Sequence, residues 1–365
     1  MKISKELGLL KFKLFNDGVN VDESTLKYLN SNAYRVPSIV RTGASYGIEA
    51  IVNSTLHVNI PINNQSSIHI SKSLDSLVKG DKSIGTVDIL KHPISVALKK
   101  NDLIIQDVGK ICFDRLGITL YTGCCFKEEN KGCIFCGIDR TPSFHDCHLM
   151  NAHDILFVLN AAFNDLNSQQ IKHVLLSGGV LPGEEYGAFV FAEAARIIKS
   201  LHPKISIYAM LPPPRNDSTL QMLINSGIDE IGLNIEIMHE DYRKRLIPGK
   251  ERIGIERYFS ALEYLSSRLP KFGARSILMG GIEPIQSTLR GVEELCKRGV
   301  MPIISHYRST GAGLPSFIND GETMFDLWQA AVDIAEKHGT IIGPVCIPCQ
   351  NNVIALPTGD SFRYY

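Results

Sequence analysis

From Leu116 onward the chain alternates short apolar runs with longer amphipathic stretches, and this alternation limits the available folds more than any other feature. LGITLY is followed by NAHDILFVLNAAF, HVLLSG by GAFVFAEAARIIKSL, ISIYAM by DSTLQMLINSG, IGLNIE by ERYFSALEYLSS, ARSILMGG by IQSTLRGVEELCKRG, and MPIISHY by TMFDLWQAAVDIAEKHG. The short runs have strand length, and the longer ones place apolar residues three and four apart, as a helix requires. Strands and helices in strict alternation imply a parallel sheet with right-handed crossovers. Six such units predict an α/β fold, a partial (β/α)6 TIM-like barrel left open where a closed barrel has about eight. Local signals agree: Asn151 with Asp154, and Ser218 with Gln221, have N-cap spacing, and Gly227, Gly299 and Gly339 are placed to end helices.

The flanks read differently. In residues 1–105, DESTLKYLNS suits a short helix while EAIVNSTLHVNIPI and SSIHISKSL alternate like strands, which predicts a β-rich accessory or capping domain with nothing catalytic by residue type. The barrel core is expected over 106–320. A C-terminal segment, 321–365, carries the last helix and the pair Cys346 and Cys349.

The 365 residues carry 38 basic and 38 acidic side chains, a balance that argues against nucleic acid or a membrane surface as partner, since both call for a basic excess. MKISKELGLLKFKLF is broken by lysines and has no small-residue cleavage site, and no apolar run reaches membrane-spanning length. Nine cysteines, an odd number with four of them crowded into Tyr121–Asp139, fit metal ligands in a reducing compartment better than disulfides, so a cytoplasmic location is expected.

That loop, YTGCCFKEENKGCIFCGID, follows the first barrel strand, and in such barrels the active site gathers at the C-terminal ends of the strands. The spacing is C-x7-C-x2-C from Cys125 or C-x8-C-x2-C from Cys124. Three thiolates on an iron–sulfur cube leave one iron open to a small molecule. A four-thiolate zinc site on Cys124, Cys125, Cys133 and Cys136, in a noncatalytic barrel, is the alternative, though adjacent ligands rarely wrap one ion. Other strand ends carry Ser177-Gly178-Gly179, where a ligand could meet bare backbone; Asn234 and Glu236, two apart and so on one face; LMGGIEP with Gly280, Gly281 and Glu283; and His306 with Arg308. Arg243, Arg245 and Lys250 read equally well as solvated charges, and Cys296 as core.

The cysteine loop with Phe135 before its last cysteine, the Gly-Gly after the second strand and the segment GLNIEIMHEDYRKRLIPGKERIGIERYF resemble the radical S-adenosylmethionine (SAM) enzymes over about residues 105–315, in particular those encoded beside nitrilases and, more distantly, biotin and lipoyl synthases. The likeness to the former extends weakly to RTGASYG. It implies a [4Fe–4S] cluster on Cys125, Cys133 and Cys136, with Cys125 preferred as first ligand from the family's T-x-x-C. It further implies SAM contacts at Phe135, Gly178, Gly179, Asn234, Glu236, Arg257, Gly281 and Arg308; the acidic residue that usually follows Gly-Gly is here Val180. The implied reaction is reductive cleavage of SAM to a 5′-deoxyadenosyl radical that abstracts hydrogen. Ferredoxin or flavodoxin would donate the electron, and the substrate would be a small molecule or an acyl-carrier-linked chain. Sulfur insertion ranks first among outcomes, drawing on a second [4Fe–4S] cluster on Cys346 and Cys349 with Cys112 or Cys147; rearrangement or carbon–carbon bond chemistry ranks second.

Overall fold

The computed structural model describes residues 3–32, 34, 47–91, 99–100, 103–104, 108–138, 147–164, 171–307 and 316–359. Arg308 and most of RTGASYG lie outside them.

The chain opens with two helices, α1 (Lys5–Asp17) and α2 (Glu23–Ser31), each capped by a side-chain oxygen on a backbone N–H, Ser4 on Leu7 and Asp22 on Thr25. Strands β1 (Ile48–Val52), β2 (Leu56–Ile60), β3 (Ile68–Ile70), β4 (Ser76–Lys79) and β5 (Lys82–Ile89) form a five-stranded sheet in the order β2-β1-β5-β4-β3. All its pairs are antiparallel. A short ladder, β6 (Lys99–Lys100) with β7 (Leu103–Ile104), follows.

The second sheet has seven strands in the order β14-β13-β12-β11-β10-β9-β8. β8 (Gly109–Cys112) is antiparallel to β9 (Arg115–Thr119). From β9 onward the strands are parallel: β10 (His173–Ser177), β11 (Ser206–Met210), β12 (Glu230–Gly232), β13 (Ala274–Gly280) and β14 (Met301–His306). These are the six expected barrel strands, curled into an open half-barrel with an extra antiparallel strand at one edge.

The crossovers carry α3 (Cys125–Glu128), α4 (Ala152–Phe163), α5 (Ala188–Leu201), α6 (Asp217–Asn225), α7 (Glu240–Leu246), α8 (Pro248–Glu251), α9 (Ile255–Ser266) and α10 (Ile285–Lys297), and α11 (Gly321–Lys337) follows β14. The Asn151–Asp154 capping box forms with both reciprocal bonds. Ser218 does not cap: α6 starts two residues earlier, with Asn216 at its N-cap, so Ser218 lies inside the helix. Gly227, Gly299 and Gly339 follow their helices at φ of 95°, 68° and 67°, a region that favours glycine.

Period-two alternation sorts the barrel strands. Val174, Leu176, Ile207, Ala209, Leu278 and Ile304 are buried in the core, and Leu175, Ser177, Tyr208, Met210, Arg275, Ile277, Ile303 and Ser305, of the opposite parity, line the barrel interior. One continuous apolar core joins the helices of the barrel to α1 and the first sheet. Phe12 on α1 sits 6.3 Å from Phe325 and 6.4 Å from Trp328 on α11. No helix among the described residues is long and apolar enough to cross a membrane.

Candidate active site

Beyond Thr119 the chain leaves the sheet, and its first turn separates two adjacent thiols. Cys124 is the extended N-cap of α3, at φ −159°, while Cys125 is the first helical residue and donates its N–H to the Val180 carbonyl at 2.8 Å. Successive residues across a strand-to-helix junction point in different directions. Cys124 faces a cavity of about 180 Å³ at the C-terminal ends of the strands, together with Cys133 and Cys136. Cys125 packs instead among Phe126 and Val180. The structure thus sets Cys125 apart from the other two expected ligands and brings Cys124 to them.

The loop between is held by backbone contacts. The Cys136 N–H bonds to the Cys133 carbonyl at 3.1 Å, Lys127 Nζ to the Cys136 carbonyl at 2.8 Å, and the Ile134 N–H to the Leu246 carbonyl at 3.0 Å. The Gly249 N–H reaches the Lys131 carbonyl at 2.9 Å. Phe135 lines the cavity and leans on the apolar cluster of Ile237, Leu246, Ile247, Ile282 and Tyr307. Burial pushes the Cys133 thiol up to about 12 and raises Cys136 as well; Cys125, also buried, goes up to about 11. A metal taking Cys133 and Cys136 would displace those protons and replace them with a stronger positive charge.

On the opposite wall Asn234 and Glu236 both line the cavity, although β12 ends at Gly232 and both residues lie beyond it. Glu236 sits at φ 66°, a left-handed conformation unusual for a residue with a side chain, and its carboxylate accepts from Lys250 Nζ at 2.7 Å. Lys250 also donates to the Asn234 carbonyl at 3.2 Å. Burial works against its charge, but Glu236 beside it outweighs that and raises the Lys250 ammonium above its usual range. The solvated reading of Lys250 fails on this pairing.

Gly178 and Gly179 line the same cavity. A Cβ on Gly179 would fall 1.5 Å from the Gly123 carbonyl oxygen, so the bare backbone is needed first to admit the cysteine loop itself. Val180, at the usual acidic position, is buried under Cys125; Glu184 pairs with exposed Arg215 and Glu185 with Asn216.

Four residues singled out for the far wall are placed elsewhere. Arg257 does not line the cavity: its Nε donates to the Pro214 carbonyl and its Nη1 to Asp217, each at 2.8 Å. Gly281, at φ 92°, faces Ser316 and Ile318 and is absent from the cavity wall among the described residues. Glu283 is fully buried and accepts from the N–H groups of Met238 and His239 and from Thr288, a bracket for the entry to α7. His306 packs against Phe15 at 5.7 Å.

Beneath this cavity lies a larger one of about 550 Å³ in the barrel interior, and Ser177 and Met210 form walls of both. Its floor is made by the first residues of four successive strands, Arg115, His173, Ser206 and Glu230, and by Arg275, the second residue of the next. Arg275 pairs with Glu230 and covers the Tyr208 ring at 4.8 Å. Sequence reading passed over this chamber. The signal was present in two runs, where His173 and Ser206 stand in period-two phase with Ser177 and Met210 respectively. Cys346 and Cys349 also reach the chamber, whereas Cys112 turns to Asn351 and Cys147 lies near Glu128 at the opposite end.

A model of the radical SAM superfamily matches residues 118–301. Over 114 residues, 31% of this chain and 27% of the relative, the sequence is 28% identical to the bacteriochlorophyllide c C-7(1)-hydroxylase of Chlorobaculum limnaeum. Among solved structures the chain is similar to HydG, a maturase of the [FeFe]-hydrogenase, with a TM-score of 0.44 at 11% identity over 63% of this chain and 50% of that one. It is likewise similar to HydG from Carboxydothermus hydrogenoformans, with a TM-score of 0.44 at 16% identity over 66% of this chain and 57% of that one. The chain therefore spans about a quarter of the length of the hydroxylase and about half of HydG.

Proposed function

Since the chain belongs to the radical SAM superfamily, we propose that it binds a [4Fe–4S] cluster through Cys124, Cys133 and Cys136 and uses SAM to abstract hydrogen from a small organic substrate in the barrel interior. The observation that carries this reading is the meeting of those three cysteines with Glu236, Lys250 and the Gly178-Gly179 backbone around one cavity. Three thiolates fit a cube that must keep one iron open. When bound, such a cluster supplies one electron for the reductive cleavage of SAM into methionine and a 5′-deoxyadenosyl radical, with ferredoxin or flavodoxin as the source.

The protein's own part is positioning. Asn234 and Glu236 supply oxygen acceptors for the amino group and ribose of SAM, and Lys250 supplies the cation for its carboxylate, the role that Arg257 was expected to fill. Phe135 and Val180 close the cavity with apolar surface and keep water from the reacting carbon. Below, the chamber suits an anionic substrate: among the described residues Arg115, Lys172, Lys271 and Arg275 line it, with Glu230, paired to Arg275, as the carboxylate on its wall.

Sulfur insertion has its support in Cys346 and Cys349, which reach this chamber. Cys112 is not on its wall among the described residues, and the donors beside the two thiols are a carboxylate and an imidazole. Hydrogen abstraction without sulfur transfer is therefore the reading we adopt.

The test is anaerobic reconstitution with iron and sulfide, then dithionite and SAM. We expect 5′-deoxyadenosine and methionine from the full chain, loss of both iron and cleavage in Cys124→Ala, and retention of iron in Cys125→Ala. The opposite pattern in the two variants would move the first ligand to Cys125. A full iron complement with no SAM cleavage would remove the enzymatic reading.

A further inference from the structure

The half-barrel is open between β14 and the β8–β9 hairpin, and the segment after α11 lies across that opening. Its start bonds to β14 through the Gly343 N–H on the Pro302 carbonyl at 2.9 Å, and its end through the Ile354 N–H on the Ile304 carbonyl at 2.7 Å. Between these anchors a 3-10 helix, Pro348–Asn352, carries Cys349 to the far side of the gap, with Cys346 just ahead of it.

There the two thiols meet residues from two other elements. His173, the first residue of β10, has Nε2 3.0 Å from Cys349 Sγ. Asp114, in the β8–β9 turn, has both carboxylate oxygens 3.7 Å from Cys346 Sγ. Donor atoms of all four residues lie within 4.8 Å of one another. Zinc bonds of about 2.0–2.3 Å in a tetrahedron separate their ligand atoms by about 3.3–3.8 Å, so only small rotations are needed to close the set on one ion.

We propose that Asp114, His173, Cys346 and Cys349 hold a single zinc ion that staples the C-terminal segment across the open seam of the barrel. Cys-x2-Cys with an imidazole and a carboxylate is a donor set suited to zinc, and four protein ligands leave no open position, which makes the ion structural. Two thiolates and a carboxylate around a dication leave one net negative charge. Arg115, with Nη1 3.7 Å from Cys349 Sγ, neutralises it. The mixed sulfur, nitrogen and oxygen donors also distinguish this set from the all-thiolate shell expected for a second [4Fe–4S] cluster.

Metal analysis of the full chain, grown with zinc and handled without oxygen, tests the site independently of the upper cluster. We expect about one zinc per chain, unchanged when Cys124, Cys133 and Cys136 are all replaced by Ala. Cys346→Ser with Cys349→Ser should reduce it at least about tenfold. Should that double variant fail to fold, Asp114→Asn and His173→Gln each remove one donor, and each should weaken zinc at least about tenfold in competition with a chromogenic chelator. Cobalt(II) in place of zinc should show thiolate-to-metal charge transfer in the full chain. Zinc-free protein, zinc that survives loss of both lower cysteines, or iron with acid-labile sulfide in the variant lacking the upper three cysteines would each overturn the proposal.

Discussion

Glu236 and Lys250 show how much one buried pair controls at this site. Both side chains are largely withdrawn from water and meet at 2.7 Å, so removing one leaves the other charged and unpartnered. Lys250→Met should destabilise the fold by about 3–5 kcal/mol, and Glu236→Gln added to it should restore a good part of the loss. Urea unfolding of the two variants measures this, and equal stabilities would show that the pair is solvated after all. Arg257→Ala makes the contrasting case. Its guanidinium serves Pro214 and Asp217 at the start of α6, so SAM affinity measured by equilibrium dialysis should stay within about threefold of the parent, a change of under about 1 kcal/mol. A large loss would return Arg257 to the binding site.

At the level of elements, the cysteine loop is positioned by close backbone approach on two sides. Gly179 faces the Gly123 carbonyl, and Gly249, between α7 and α9, would place a Cβ 2.5 Å from the Phe126 ring and 2.7 Å from the Lys131 carbonyl. Neither obstacle is the free end of a flexible side chain. Gly179→Ala and Gly249→Ala should both push the loop out of place, and iron retained per chain after reconstitution should fall to less than about half in each, as expected when a metal site loses its preorganised ligands. Gly183→Ala, whose Cβ meets nothing within 4 Å but whose φ is 97°, separates backbone strain from loss of space. It should cost stability and leave iron intact.

Across the whole molecule, α1 is tied to the C-terminal segment by a buried lysine. Lys11 Nζ donates to the Gln350 carbonyl at 2.8 Å and to the Ala355 carbonyl at 2.5 Å. Burial pulls its ammonium down to about 7 from 10.5. Between those values the unfolded chain keeps a proton that the folded chain has released, so this group makes stability rise with pH from about 7 to 10.5. Below pH 7 both states hold the proton, and the folded state bears a buried charge. Subtracting the unfolding free energy of Lys11→Met from that of the parent isolates this contribution from other titrating groups. The difference should climb between pH 7 and 10, and a flat difference would show that Lys11 stays charged throughout.

What the sequence determined by itself was whatever depends on local periodicity. The six strand and helix units, the capping box at Asn151 and the helix-ending glycines are set by residues a few positions apart, and they stand in the structure as read. Asn234 and Glu236 were picked out by strand spacing, yet they meet at the cavity beyond the end of β12, where Glu236 turns at φ 66°. Tertiary structure decided the rest. Whether Cys124 or Cys125 faces the cavity depends on where a helix begins after the strand, a choice set by the Val180 carbonyl from another unit. Lys250 and Arg257 are both basic residues in one segment, and only the packing of that segment on its neighbours buries one beside Glu236 and turns the other toward Asp217. The fate of Cys346 and Cys349 was least legible of all. Their neighbours Asp114, in a turn, and His173, on a strand, lie more than a hundred residues away in sequence, and no short-range pattern records which side of an open barrel a returning segment will cross.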